Sequence, residues 1–335
     1  MPTGTLTDSF GRTITDVRVS LTNRCNFDCV YCHNEGLGDT QGPAAPHGDE
    51  MSADEVVRLL RIGHEFGIQR AKFTGGEPLL RRDLEDIVAR VSPFMETSLT
   101  TNGSLLAHHA EGLADAGLSR VNISIDTLDA RHFRRVRRGS LEPVLAGLEA
   151  ALGAGLAPVK INTVLMDDTL GELPELVDFV AQREGLQLQL IEVMPEIRID
   201  MLTHRVDLDK VRAWLSERAN RVHHRAMHHR AIYELENGAT VELVDPVANA
   251  TFCANCHRLR ITHDGQLKGC LNRLDDLLPT RGKSDDEVRA AYREVVANRR
   301  PYYLPSPAGG APNTPRAAAD PQHLYASLKR PIIGR

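Results

Sequence analysis

Aromatic residues make up only 4% of this 335-residue chain, with a single tryptophan. Its core must therefore be built mainly from Leu, Val, Ile and Ala. No window approaches 18 consecutive apolar residues, so a transmembrane helix is excluded. The first residues, "MPTGTLTDSFGRTITD", lack the basic-then-apolar pattern of a secretion signal. Positive charge is not in excess either: 40 Lys and Arg face 45 Asp and Glu, for a net charge of -5. That balance argues against a general nucleic-acid or membrane-surface binder. A cytoplasmic location is expected. In a reducing compartment the six cysteines point to metal or redox chemistry rather than to disulfides.

Over the first two thirds, strand-like and helix-like runs alternate. Strands are expected at 17–21, 71–75, 97–103, 120–126, 159–165 and 186–194. Helices are expected at 51–67, from about 83, near 105–116, at 141–153 and near 172–183. Ser52 and Glu55 have the spacing of a capping box, and Gly67 can close that helix. Six strands separated by helices imply a parallel sheet with right-handed crossovers. Periodicity does not separate an open doubly wound sheet from an incomplete barrel. Both place their chemistry at the C-terminal ends of the strands. Beyond residue 205 the rhythm stops. Residues 229–245 read as a hairpin turning at Asn237-Gly238, and 304–322, rich in Pro, Gly and Ala, as a linker.

Half of the cysteines fall in "RCNFDCVYCHNEG", at Cys25, Cys29 and Cys32, on the loop after the first strand. Thiolates suit zinc or the iron of a cluster. Three of them on one short loop can hold three corners of a [4Fe–4S] cube and leave the fourth iron open. The alternative is a zinc knuckle completed by His33. After the second strand comes "TGGEP" (74–78), whose paired glycines let a backbone edge approach a ligand closely.

The other three cysteines lie in "FCANCHRLRITHDGQLKGCL": Cys253, Cys256 and, after thirteen intervening residues, Cys270. Their spacing suits zinc, with His257 or His263, as well as it suits iron–sulfur. Between them, Arg258 and Arg260 share one face of an extended segment. Two guanidiniums beside a metal centre make a site for a polyanion such as a triphosphate.

These motifs resemble the radical S-adenosylmethionine (SAM) superfamily. The two triads together resemble the GTP 3′,8-cyclase family, which acts first in molybdenum-cofactor biosynthesis. The resemblance runs through "VRVSLTNRCNFDCVYC", "TGGEPLLRRDL", "TTNG", "VNISIDTL", "VKINTVLM", "IEVM" and the second cysteine segment. It implies an α/β fold: an incomplete (β/α)6 TIM-like barrel over 1–205, and a C-terminal region over 206–335 that carries a second cluster and the GTP site and closes the barrel opening. Cys25, Cys29 and Cys32 would hold the [4Fe–4S] cluster that binds SAM. Cys253, Cys256 and Cys270 would hold a second [4Fe–4S] cluster that meets the guanine. Tyr31, Gly76, Ser124 and Met194 match SAM-contacting positions. Arg18, Lys72, Thr101, Lys160, Arg258 and Arg260 match GTP-contacting positions, and Arg258 and Arg260 join the first three cysteines as catalytic. In the family a 5′-deoxyadenosyl radical takes the hydrogen at C3′ of GTP, and C3′ then bonds to C8. The implied partners are GTP, a reducing electron donor, a downstream cyclic pyranopterin monophosphate synthase and a second copy in a homodimer; nucleic acid and membrane are not among them.

Two departures from the family stand out. Lys72 takes the place of an arginine, keeping the charge without the fork. The chain ends Gly334-Arg335 where the family typically ends in two glycines. Four histidines at 222–230 read as a polar surface before they read as a metal site, and the basic run 131–139 reads as a solvated helix face. Asp126 and Glu77, near the cavity rim, are given positioning roles. Two rivals remain: a peptide-modifying radical SAM enzyme, which would use more cysteines, and a zinc-stabilised binding protein without catalysis.

Overall fold

The computed structural model describes residues 4–37, 42–43, 49–194 and 204–304. The linker and the Gly334-Arg335 ending discussed above lie outside this set, apart from Leu304. Six strands form the framework: β1 (Asp16–Ser20), β2 (Arg70–Thr74), β3 (Glu96–Thr101), β4 (Arg120–Ser124), β5 (Val159–Leu165) and β6 (Leu186–Glu192). They pair in sequence order, all parallel. The crossovers carry α1 (Ala53–Glu65), α2 (Leu84–Val91), α3 (Ala110–Asp115), α4 (Ala130–Arg137), α5 (Leu141–Gly153) and α6 (Leu173–Ala181). α1 begins with the capping box read from the sequence: Ser52 accepts from the Glu55 amide, and Glu55 accepts from Ser52. It is followed by Gly67 at φ +84°.

Each strand alternates, so the sheet has two chemically different faces. Val17, Val19, Phe73, Leu99, Val121, Ile123, Ile161 and Leu188 are fully buried in the apolar core. Burying each such side chain contributes roughly 1.5–3 kcal/mol. The intervening positions, Asp16, Arg18, Arg70, Lys72, Ser98, Asn122, Lys160 and Gln189, line a cavity on the opposite face.

After a helix, α7 (Leu208–Ser216), come β7 (Ala219–His224), β8 (Ala231–Leu235) and β9 (Thr240–Val244), a short α8 (Ala250–Ala254), β10 (Arg258–Ile261), β11 (Gln266–Lys268), β12 (Leu277–Pro279) and α9 (Asp285–Ala297). The expected hairpin is β8–β9, and Gly238 in its turn has φ +91°. These strands extend both edges of the first sheet: β9 adds parallel to β6, and β10 adds parallel to β1. The order is β12-β11-β10-β1-β2-β3-β4-β5-β6-β9-β8-β7, open rather than closed, since β12 and β7 do not pair. An incomplete barrel whose edges both receive C-terminal strands brings the late cysteines beside the early ones.

Candidate active site between two cysteine triads

Cys25, Cys29 and Cys32 occupy the loop leaving β1. That loop is strapped to the one after β2 by backbone hydrogen bonds: Gly76 N donates to Thr22 O (2.7 Å) and Glu77 N to Arg24 O (2.7 Å). The approach is so close that a Cβ at Gly75 would strike the Thr22 carbonyl, and one at Gly76 the Arg24 carbonyl. Gly75 also adopts φ +151°. The glycine pair thus has a structural duty, fastening the cysteine loop, in addition to any contact with a ligand. Behind it, fully buried Glu77 accepts from Thr101 Oγ1 (2.6 Å) and from the amides of Asn102 (2.7 Å) and Leu79 (3.0 Å). Glu77 and Thr101 therefore fix the ends of β2 and β3 to each other.

Tyr31 donates to Asp126 Oδ2 (2.7 Å), and Arg137 donates to the Tyr31 hydroxyl. Arg137 also pairs with Asp126 (3.3 Å) and lies 5.8–5.9 Å from the rings of Phe27, Tyr31 and Phe133. It comes from the basic run read as solvated. Arg131, Arg134 and Arg135 are exposed there, but Arg137, on the inner side of α4, is buried. Burial works against its charge, but Cys29, Tyr31 and Asp126 outweigh burial and keep it protonated. Burial pushes the thiol of Cys25 up to about 11 and that of Cys29 up to about 12.

The second triad begins on α8 and ends after β11. Its support is a buried ion network absent from the sequence reading. Asp8 pairs with Arg12 (2.7 Å) and with Arg299 (2.9 Å). Arg299 donates to Cys256 Sγ (2.9 Å), Cys256 O (2.8 Å) and Gly269 O (2.9 Å). Arg12 donates to Cys253 O (2.9 Å). Burial alone would raise the Cys256 thiol, but Arg299 reverses the sign and lowers it. Cys253 and Cys270 are raised by burial.

Both triads open on one cavity of about 540 Å³. The six cysteines, Tyr31, Gly76, Ser124, Met194, Arg18, Lys72, Thr101, Lys160, Arg258 and Arg260 all line it, whereas Asp126 and Glu77, expected near its rim, are buried and are not among its lining residues. Register aligns Arg260, Arg18 and Lys72 side by side on β10, β1 and β2, with Arg258, Asp16 and Arg70 in the row below. As expected, Arg258 and Arg260 share a face. Glu35 bridges Arg18 (3.2 Å) and Arg260. Asp16 holds Arg70 (2.8 Å). Lys72 donates to Asn122 Oδ1 (3.1 Å), and burial together with Arg18 and Arg258 pushes its pKa well down. Across the cavity, buried Glu242 pairs with Lys160 (2.6 Å), Arg230 (3.1 Å) and Arg225 (3.3 Å).

Of the histidine-rich stretch, His228 turns into the cavity, stacked 3.9 Å from Phe252. His224 and His229 stack on each other outside. Among the described residues, neither cysteine triad has its three sulfurs within 4.8 Å of one another. Zinc–sulfur bonds of about 2.3 Å in tetrahedral array demand a separation of only about 3.8 Å. The triads thus leave room for a group larger than one zinc ion, and three thiols on each side fit a cluster.

Residues 19–180 match the family model "Radical SAM superfamily", and residues 186–305 match "Molybdenum Cofactor Synthesis C". A protein of Halobacterium salinarum named "Probable GTP 3′,8-cyclase" is 52% identical over 322 residues, covering 89% of this chain and 90% of that one. One of the same name from Methanosarcina mazei is 43% identical over 307 residues, covering 90% of each. Among solved structures, Streptococcus suis SuiB bound to S-adenosylmethionine superposes with a TM-score of 0.61 at 14% identity, covering 86% of this chain and 66% of that longer one. The protein anSMEcpe with bound AdoMet gives 0.57 at 14%, covering 84% and 82%. These two likenesses establish the fold: a parallel sheet forming a partial barrel.

Proposed function

The chain belongs to the GTP 3′,8-cyclase family of the radical SAM superfamily, and on that premise we propose that it converts GTP to 3′,8-cyclo-7,8-dihydro-GTP in the cavity between its triads. The superfamily's cofactors are a [4Fe–4S] cluster and SAM. Cys25, Cys29 and Cys32 would hold that cluster through three thiolates, leaving one iron for SAM. Cys253, Cys256 and Cys270 would hold a second [4Fe–4S] cluster, with the guanine of GTP at its open iron. When bound, the first cluster and SAM supply the radical that takes hydrogen from the substrate.

The chain's own residues do the rest. Gly75 and Gly76 hold the first cysteine loop against β2. Tyr31, fixed by Asp126 and Arg137, stands with Gly76, Ser124 and Met194 around the SAM position. Arg18, Lys72 and Arg260, with Arg258 in the row below, form a basic patch for the triphosphate, to which arginine pairs bidentately. Lys160 approaches from the far wall, and Thr101, committed to Glu77, shapes the floor. The division at about residue 205 assigns SAM to the partial barrel and the second cluster to the C-terminal region, with GTP between residues of both. The enzyme works in the cytoplasm with a low-potential electron donor, and its product passes to cyclic pyranopterin monophosphate synthase.

The observation that carries this reading is the convergence of both triads and the basic patch on one cavity. Anaerobic incubation with SAM, GTP and a strong reductant tests it. The expected outcome is 5′-deoxyadenosine together with a nucleotide isomeric with GTP that elutes apart from it. 5′-Deoxyadenosine without a new nucleotide would overturn the assignment of substrate.

A further inference from the structure

Like charges placed opposite each other across strands repel, yet Arg260, Arg18 and Lys72 stand in register. With Arg258 and Arg70 they bring five basic side chains against two carboxylates, Asp16 and Glu35. The two carboxylates are anchored differently. Asp16 is part of β1 and holds Arg70. Glu35 lies three residues beyond Cys32, in a segment where Asn34, Glu35 and Gly36 all take left-handed backbone angles (φ 44°, 54° and 75°). Such a conformation costs about 1–3 kcal/mol at each non-glycine residue unless its surroundings hold it. What holds it is the bridge from Glu35 to Arg18 and Arg260, together with Lys268, which donates to the carbonyls of Glu35 (3.4 Å) and Gly36 (3.3 Å).

We propose that Glu35 is an internal counter-ion in the anion subsite: its carboxylate neutralises Arg18 and Arg260 in the nucleotide-free protein and yields to the phosphates of the incoming substrate. This rests on the reading of the cavity as a nucleotide site. A triphosphate carries more charge than one carboxylate and can engage Arg258 and Lys72 as well. Among the described residues, the Arg258 side chain makes no hydrogen bond or ion pair. The displaced carboxylate sets a fixed penalty on every ligand that reaches this row. Because its segment begins at Cys32, nucleotide arrival is felt on the loop of the first triad. The cations themselves hold Glu35 ionised: burial would raise its carboxyl, but Arg18 and Arg260 outweigh burial and keep it at about 2.

The test uses anaerobically reconstituted protein and Glu35→Gln, with calorimetric binding of GTP, inorganic tripolyphosphate and guanosine. Removing one charged hydrogen-bonding competitor predicts about tenfold tighter binding of GTP and tripolyphosphate, with guanosine unchanged. Unchanged or weaker tripolyphosphate binding would overturn the proposal, as would an equal gain for guanosine, which would mark general loosening of the loop. Should Glu35→Gln lose its iron, Glu35→Asp carries the test. Its shorter side chain cannot span both arginines, and a smaller gain in the same direction is expected; no gain overturns the idea. If wild-type protein binds neither GTP nor tripolyphosphate, the nucleotide reading itself fails.

Discussion

The two cysteine triads carry the same three ligands, but burial raises the thiols of Cys25, Cys29, Cys253 and Cys270 alike, and only Cys256 is lowered by a neighbouring cation. The first sits on a single loop, clamped by backbone contacts through Gly75 and Gly76. Burial raises the thiols of Cys25 and Cys29, and the nearby cation, Arg137, is committed to Tyr31 and Asp126. The second is assembled from two separate segments and held by charge. Arg299 reaches Cys256 Sγ directly and lowers that thiol. One site is held by backbone fit, the other by an ion network rooted in Asp8. A triad on one loop needs only the close approach of a neighbouring strand end. A triad spread over a helix and a later loop needs a buried connector, and Arg299 serves as one by touching both Cys256 and Gly269.

The largest expected effect separates the two sites. Cys25→Ala removes an anchor of the proposed SAM centre and should abolish 5′-deoxyadenosine formation, a fall of at least about 10³ in rate, or about 4 kcal/mol. Cys256→Ala should leave SAM cleavage in place while the cyclised nucleotide disappears. Liquid chromatography of anaerobic reactions reads both, and 5′-deoxyadenosine from Cys25→Ala at the wild-type rate would contradict the division. Next comes Arg299→Met, which removes one of the two arginines paired with buried Asp8 and the side-chain donor to Cys256 Sγ. A loss of about 3–5 kcal/mol in anaerobic denaturant unfolding is expected, with iron lost from the second site. Arg299→Lys, which keeps the charge without the fork, should recover part of it.

Arg258→Ala sharpens the comparison from the substrate's side. GTP affinity should drop about 100-fold, as for the loss of a strong charge-assisted contact, while SAM cleavage remains possible. Unchanged GTP affinity would take Arg258 out of the site. Glu242→Gln gives the smallest effect, about 2 kcal/mol at neutral pH, and it carries a pH signature. Burial would raise the Glu242 carboxyl, but Arg230, Lys160 and Arg225 bring it from 4.5 down to about 2. A carboxyl lowered by folding stabilises the native state above its ordinary pKa and loses that contribution as pH falls through the folded value. The gap between wild type and variant should therefore be full above pH 4.5 and close toward about pH 2. A gap independent of pH would assign the effect to packing.

Much of this was legible in the residues. Cysteine spacing, the glycine pair and the alternation of "RLRI" are local patterns, and the strands, the capping box and the β8–β9 hairpin follow local rules as well. What escaped depends on pairing between distant segments. Asp8 and Arg299 are 291 positions apart, and neither has a local signature. Arg137 sits in a run whose other arginines face solvent, and only helix phase sends it inward. Glu35 has no local signature either, because its partner Arg260 comes beside it only when β10 pairs with β1. The parallel additions of β9 and β10 to the two sheet edges leave no trace in periodicity, because an edge partner is chosen by what else the fold has left unpaired.

Iron content bears most directly on the central claim that two separately anchored clusters share one chamber. Anaerobically reconstituted wild-type protein should contain about eight irons per chain, as two [4Fe–4S] clusters require, with Cys25→Ala and Cys256→Ala each retaining about four. About four irons in the wild type, or zinc in place of iron at Cys253, Cys256 and Cys270, would contradict it.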